Sequence, residues 1–156
     1  MTLNDTLLQK LAEWRFDNER QTLTVVHPET GWSAGVVADC ADRVGCQLWE
    51  LNLNRPEAAS ADLKTRAERL VGRATGLLDP LRLIEVDAER ETALLRSAAP
   101  QKRGDDLFYY EVLLQNRGAG LRRYQSSTQG GTRQQLAFAL THEALAKLAA
   151  DLAADA

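Results

Sequence analysis

Histidine, cysteine and proline are scarce in this chain. Its 156 residues hold two histidines, two cysteines, four prolines and one methionine, and aromatic residues make up 6%. Each scarcity closes off a class of function. Two cysteines without two nearby histidines do not make a zinc site. Cys40 and Cys46 read instead as small, reduced, apolar residues near strand ends. His27 and His142 stand alone, so neither a His-x-x-x-His pair nor a Ser–His–acid order can be assembled. No catalytic residue, metal or cofactor is expected on these grounds. No apolar run approaches the roughly 20 residues of a membrane span. The opening MTLNDTLLQK has neither a basic n-region nor an apolar core, so no signal peptide is read and a cytoplasmic protein is expected.

An excess of positive charge is missing too. The net charge is −3, unevenly spread. Residues 1–60 hold 5 basic and 9 acidic groups, residues 61–100 hold 7 and 7, residues 101–140 hold 6 and 3, and residues 141–156 hold 1 and 3. A mildly acidic total argues against a dedicated nucleic-acid binder and leaves one basic region. The rest is ordinary: 44% hydrophobic and 26% charged residues, the composition of a single globular domain over 1–156 that folds without disulfides or metal.

Periodicity supplies the architecture. Leu3, Leu7, Leu8, Leu11 and Ala12 fall at helical spacing, with Asn4 or Asp5 as N-cap. TLTVV (22–26), WSAGVVA (32–38) and CQLWELNLN (46–54) read as strands on short connections, hence an antiparallel meander. Their inward faces are expected at Trp32, Ala34, Val36 and Ala38, and at Trp49, Leu51 and Leu53, leaving Glu50 and Asn52 outside. Ser60 caps a second helix over 61–78, with Leu63, Ala67, Leu70, Val71, Ala74 and Leu78 buried and Arg66, Arg69 and Arg73 on a solvated flank. Strands follow at 81–86, 91–97, 107–115, 120–126 (after the turn RGAG) and 133–140. Thr141 then caps a helix burying Leu145, Leu148, Ala149 and Leu152, and His142 reads as a surface residue beside that cap. The order α-βββ-α-βββββ-α is that of an α+β domain with antiparallel sheet and helices on one side.

The two meanders resemble one another. Val26 and Val86 lie 60 residues apart, and Glu50 and Glu111 lie 61 apart, so the spacing is that of a possible internal duplication. The order of the first five elements also resembles that of small acidic type III secretion chaperones, over about half the chain. No motif accompanies that resemblance, and the strands after residue 97 depart from it.

Two stretches are candidates for binding. LFYYEVLLQ (107–115) is apolar on both faces, so it needs two covers. Its second face, with Tyr109, Glu111 and Leu113, calls for either a second layer of the same chain or a partner subunit, and a self-contact that makes the chain a homodimer is the expectation. Glu111, if buried, calls for a cation, and Arg122 or Arg123 on the adjacent hairpin strand is the candidate. NRGAGLRRYQSSTQGGTRQQ (116–135) holds Arg117, Arg122, Arg123 and Arg133 with Tyr124 and no acid. Arginine interleaved with an aromatic grips phosphates and stacks on bases, the alternative of a polyanion-binding hairpin. Glu50 and Glu111 read as strand glutamates facing arginines rather than as an acid–base pair. The functional expectation is a non-enzymatic protein-interaction module, chaperone-like or adaptor-like, that self-associates and serves a further protein partner.

Overall fold

The computed structural model describes residues 1–73 and 80–154. Among them are three helices, α1 (Leu3–Glu13), α2 (Leu63–Arg73) and α3 (His142–Ala153). The first meander is β1 (Gln21–His27), β2 (Trp32–Ala41) and β3 (Gly45–Asn54). The second region holds β4 (Leu81–Asp87), β5 (Thr92–Ser97), β6 (Gln101–Arg103), β7 (Asp106–Gln115), β8 (Gly118–Ser127), β9 (Gln134–Leu136) and β10 (Phe138–Thr141). The α+β order is as read, with a three-residue strand added at 101–103 and the 133–140 run split in two. Ala74, Leu78 and the end of the second helix lie outside the described residues.

Local chemistry sets the helix starts. Thr2 caps α1: its hydroxyl accepts the Asp5 N–H at 3.0 Å, and the Asp5 carboxylate accepts the Thr2 N–H at 3.1 Å. Asp5 is therefore the reciprocal partner of a capping box and not the cap. The described α2 starts later than expected, because Asp62 rather than Ser60 accepts the Thr65 N–H, at 2.7 Å. Thr141 caps α3 through the Ala144 N–H, as its sequence predicts.

One antiparallel sheet joins all ten strands, in the continuous order β1-β2-β3-β8-β7-β5-β4. The helices cover one face only. Leu7 and Leu11 of α1, Leu70 of α2 and Leu145 and Leu148 of α3 join Val36, Leu51, Leu95, Val112, Leu114 and Leu121 in a single core. The intervening strand positions are more exposed and mostly polar, the pattern of a sheet with one open face.

The two halves meet over a short seam. β3 and β8 pair only through Leu51–Asn54 and Gly118–Leu121. Beyond it the strands diverge: β3 takes β10 as its neighbour and β8 takes β9. The segment 134–141 thus fills a fork in the sheet, and the Gln135 side chain donates to the Trp49 carbonyl across it at 3.0 Å. A bulge sits at the same place. Val37 pairs with Glu50 and Ala38 with Leu48, which leaves Trp49 without a partner. Alternation skips a beat there. Leu48, Leu51 and Leu53 face the core, while Trp49 is half-buried and stacks under Arg20 with the guanidinium 3.8 Å from the ring centre. The expectation that Trp49 shares a face with Leu51 and Leu53 is corrected by that one extra residue.

The likeness of the meanders extends to their first hairpins. The loops 28–31 and 88–91 end on residues with positive φ, Gly31 at 79° and Glu91 at 54°, again 60 residues apart. Glu91 is the one non-glycine residue with positive φ among those described.

Two glycines separate two kinds of constraint. A Cβ at Gly118 would fall on the Leu53 carbonyl oxygen, so Gly118→Ala must part β3 from β8. It is expected to cost about 1–3 kcal/mol, lowering Tm by roughly 2–4 °C per kcal/mol for a chain of this size. At Gly31 there is room, with Pro56 Cδ 3.8 Å away, but the backbone is left-handed. Gly31→Ala is expected to cost about 1–2 kcal/mol from conformation alone. Thermal denaturation of the two variants checks both values.

Candidate functional site

The open face of the sheet carries the polar chemistry. Directly opposed residues form a row across it: Arg82 on β4 faces Arg96 on β5, Arg96 faces Glu111 on β7, and Glu111 faces Arg122 on β8. The row ends on Glu50 of β3, whose carboxylate accepts from Arg122 Nε at 2.9 Å where the fork opens.

Glu111 is the centre of this row. It is buried, at 9% exposure. Its cations are not the ones expected. Arg96 Nε donates to it at 2.8 Å, and Arg133 donates through Nη1 at 2.7 Å and Nη2 at 3.3 Å. Arg122 is opposite in register but turns to Glu50, and Arg123 lies on the helix side, 4.4 Å from the Tyr110 ring centre. A two-pronged guanidinium–carboxylate contact fixes orientation as well as charge. Burial works against the charged form of Arg133, and hydrogen bonding to Glu111 and Tyr109 overrides it, so the guanidinium is held above its ordinary range. Hydrogen bonding to Tyr124, with the Glu50 charge, raises Arg122 as well.

The arginines also answer which surfaces cover LFYYEVLLQ. One face of β7 meets the helices through Val112 and Leu114. On the other, Tyr109 and Tyr124 are buried beneath arginine. Arg96 lies 5.3 Å from the Tyr109 ring centre, Arg133 lies 3.7 Å from that of Tyr124, and the two rings are 6.0 Å apart. Cation–π contact and the apolar arginine stems do this work within one chain. The need for a partner subunit over Tyr109 and Glu111 therefore disappears. Leu113 remains, 39% exposed.

Beside Leu113 is a polar cleft of about 320 Å³, with Asn52, Gln115, Gly120, Arg122 and Arg133 in its wall. The basic stretch 116–135 does not form one surface. Arg117 sits in the two-residue turn between β7 and β8 and Arg123 on the helix side, and Arg122 and Arg133 are engaged by carboxylates.

Arg66 and His142, read as exposed, are buried, and so is His27. Arg66 is 2% exposed and donates to the Gln115 carbonyl at 2.7 Å, tying α2 to the end of β7. His142 is 7% exposed. His27 is 3% exposed, with ring nitrogens 2.7 Å from the Met1 carbonyl and from Thr30 Oγ1. Neither histidine is a bonded partner of Glu50 or Glu111, whose polar contacts are arginines. Cys40 is exposed and Cys46 buried, and burial pushes the Cys46 thiol up to about 11. Cys40 pairs with Gln47 and Ala41 with Cys46, so the two thiols belong to opposite faces. Among the described residues there is no group of three or more His, Cys, Asp or Glu able to hold a metal ion, and no helix long and apolar enough to cross a membrane.

Comparison with family models, with curated proteins and with solved structures returns no match.

The Glu111–Arg133 contact is measurable as a coupling. Both partners keep some water, Arg133 being 37% exposed, which reduces the pair well below a fully buried one. A double-mutant cycle with Glu111→Gln and Arg133→Met is expected to give a coupling of about 1 kcal/mol. Chemical denaturation of the four proteins checks it.

Proposed function

We propose that the chain is a cytoplasmic, non-enzymatic protein-interaction module, adaptor-like or chaperone-like, that presents the open face of its sheet to a protein partner and also self-associates. The observation that carries this reading is the make-up of that face. Trp49, Tyr109 and Tyr124 lie there beneath Arg20, Arg96 and Arg133. Tyrosine, tryptophan and arginine are the residue types that dominate binding hot spots. Here they are held by stacking and ion pairing before any partner arrives, which lowers the entropy cost of association. Leu113 and the adjoining cleft give such a partner an apolar contact beside polar ones.

The non-enzymatic part rests on the carboxylates. Glu50 and Glu111 are each taken up by arginine, an arrangement that suits a fixed charge ladder better than proton transfer. The polyanion alternative is weaker on similar grounds. Two of its arginines are engaged by carboxylates, and Arg123 is on the other side of the sheet.

A photoreactive amino acid at Leu113, compared with one at Glu68 on the exposed side of α2, tests the reading in cells that produce the full chain. The expected result is one dominant adduct from position 113 and none from 68, lost when Asn52→Arg fills the cleft. Equal labelling from both positions, or an adduct indifferent to Asn52→Arg, overturns it.

A further inference from the structure

The continuous strand order ends on β1 and β4, and their sequences are not alike. β4 carries Arg82, Glu85 and Asp87, follows Pro80, and breaks register with β5 between Leu83 and Glu85. Charge, proline and a bulge are the devices that keep an edge from pairing with another strand. β1 has none of them. Its seven residues, QTLTVVH, contain no lysine, arginine, acid or proline. It pairs with β2 in unbroken register from Gln21–Ala38 to His27–Trp32. Among the described residues, its only backbone bonds beyond that ladder are those from Thr30 and Gly31 to the His27 carbonyl, inside the turn. Its outer-face side chains are bare: Thr22 and Thr24 are exposed, and Val26 is 59% exposed.

We propose that β1 is a self-pairing edge, and that its occupant is β1 of a second copy of this chain. The sequence is complementary to itself about Thr24. In an antiparallel pair centred there, Thr24 meets Thr24, Leu23 meets Val25, Thr22 meets Val26 and Gln21 meets His27. All seven positions find a partner, and no like charges oppose. Leu23 and Val25 lie on the helix side, where Val25 is buried and Leu23 packs against the core, so their meeting extends the apolar layer. Thr22, Thr24 and Val26 meet on the open face, and threonine pairs and β-branched pairs are favourable there. The same patch on both copies gives a closed two-fold interface. The two sheets become one, and the open faces of both copies lie on the same side.

This deepens the interaction reading, but it uses the sheet edge and not the face around Leu113. A monomeric chain sinks the edge pairing together with the self-association, whereas the partner-binding face is decided separately by crosslinking at Leu113.

The test is a charge swap at the two-fold axis, read by sedimentation equilibrium of the full chain. The unmodified protein is expected to reach twice 17.3 kDa. Thr24→Lys alone places two lysines face to face, and Thr24→Glu alone two glutamates, and each is expected to raise the dissociation constant about fivefold or more. An equimolar mixture of the two is expected to recover a dimer of one copy of each, which an unfolded or misfolded variant cannot do. Circular dichroism of each variant is expected to match that of the parent. A monomeric parent at high concentration, a Thr24→Lys dimer as tight as the parent, or a mixture no tighter than its components overturns the proposal.

Discussion

The seam between β3 and β8 is the constraint on which the rest of the molecule depends. It spans four residues on each strand, Leu51–Asn54 against Gly118–Leu121, and it joins the first meander to the run β8-β7-β5-β4. Gly118 permits it, because a side chain there would meet the Leu53 carbonyl. Below the seam the strands twist apart and the fork must be filled. Their backbone groups cannot be left dry and unpaired, so the last strand segment divides, β9 serving β8 and β10 serving β3. The same division brings Arg133, just before β9, over the open face to Glu111. The covering of β7 thus follows from the shortness of the seam.

Much of this was legible in the sequence. Alternation located β2 and the core face of β7, and helical spacing located α1 and α3, because each pattern repeats often enough to outweigh one exception. The failures are at single residues whose role is set by a partner far away. The bulge at Trp49 comes from the divergence of β3 and β8, which no local pattern announces. Arg66 looks like one of three flanking arginines until α2 is laid against the end of β7, where the Gln115 carbonyl takes its guanidinium. Thr2 was overlooked because Asp5, its reciprocal partner, is itself a good capping residue.

Glu111 shows where sequence reasoning stops. The residue types predicted that a buried carboxylate on this strand needs a cation. Which cation depends on register and loop reach. Arg122 is directly opposite, and Arg96 is opposite on the other side. Arg122 is drawn to Glu50 instead, and the position across Glu111 is taken by Arg133, 22 residues away in sequence. Three arginines and two glutamates in the row, with Arg133 reaching over it, admit several pairings. The pairing present gives each carboxylate at least one short contact and places two arginines over tyrosine rings.

A strand apolar on both faces is ordinarily taken to lie between two layers. β7 meets that demand differently, with helices on one face and arginine side chains on the other. An arginine that stacks on an aromatic ring excludes water from it while its guanidinium stays hydrated at the rim. Such a cover is thin and polar outside, so the strand is satisfied and the face remains a surface. The demand for a partner then moves elsewhere in the molecule. Over Tyr109 the chain has answered it. At β1, where seven backbone residues lack a second neighbour among the described residues and carry no Lys, Arg, Asp or Glu, it has not. A side chain folds over a ring at modest cost, but an open ladder of N–H and C=O groups is completed only by water or by another strand.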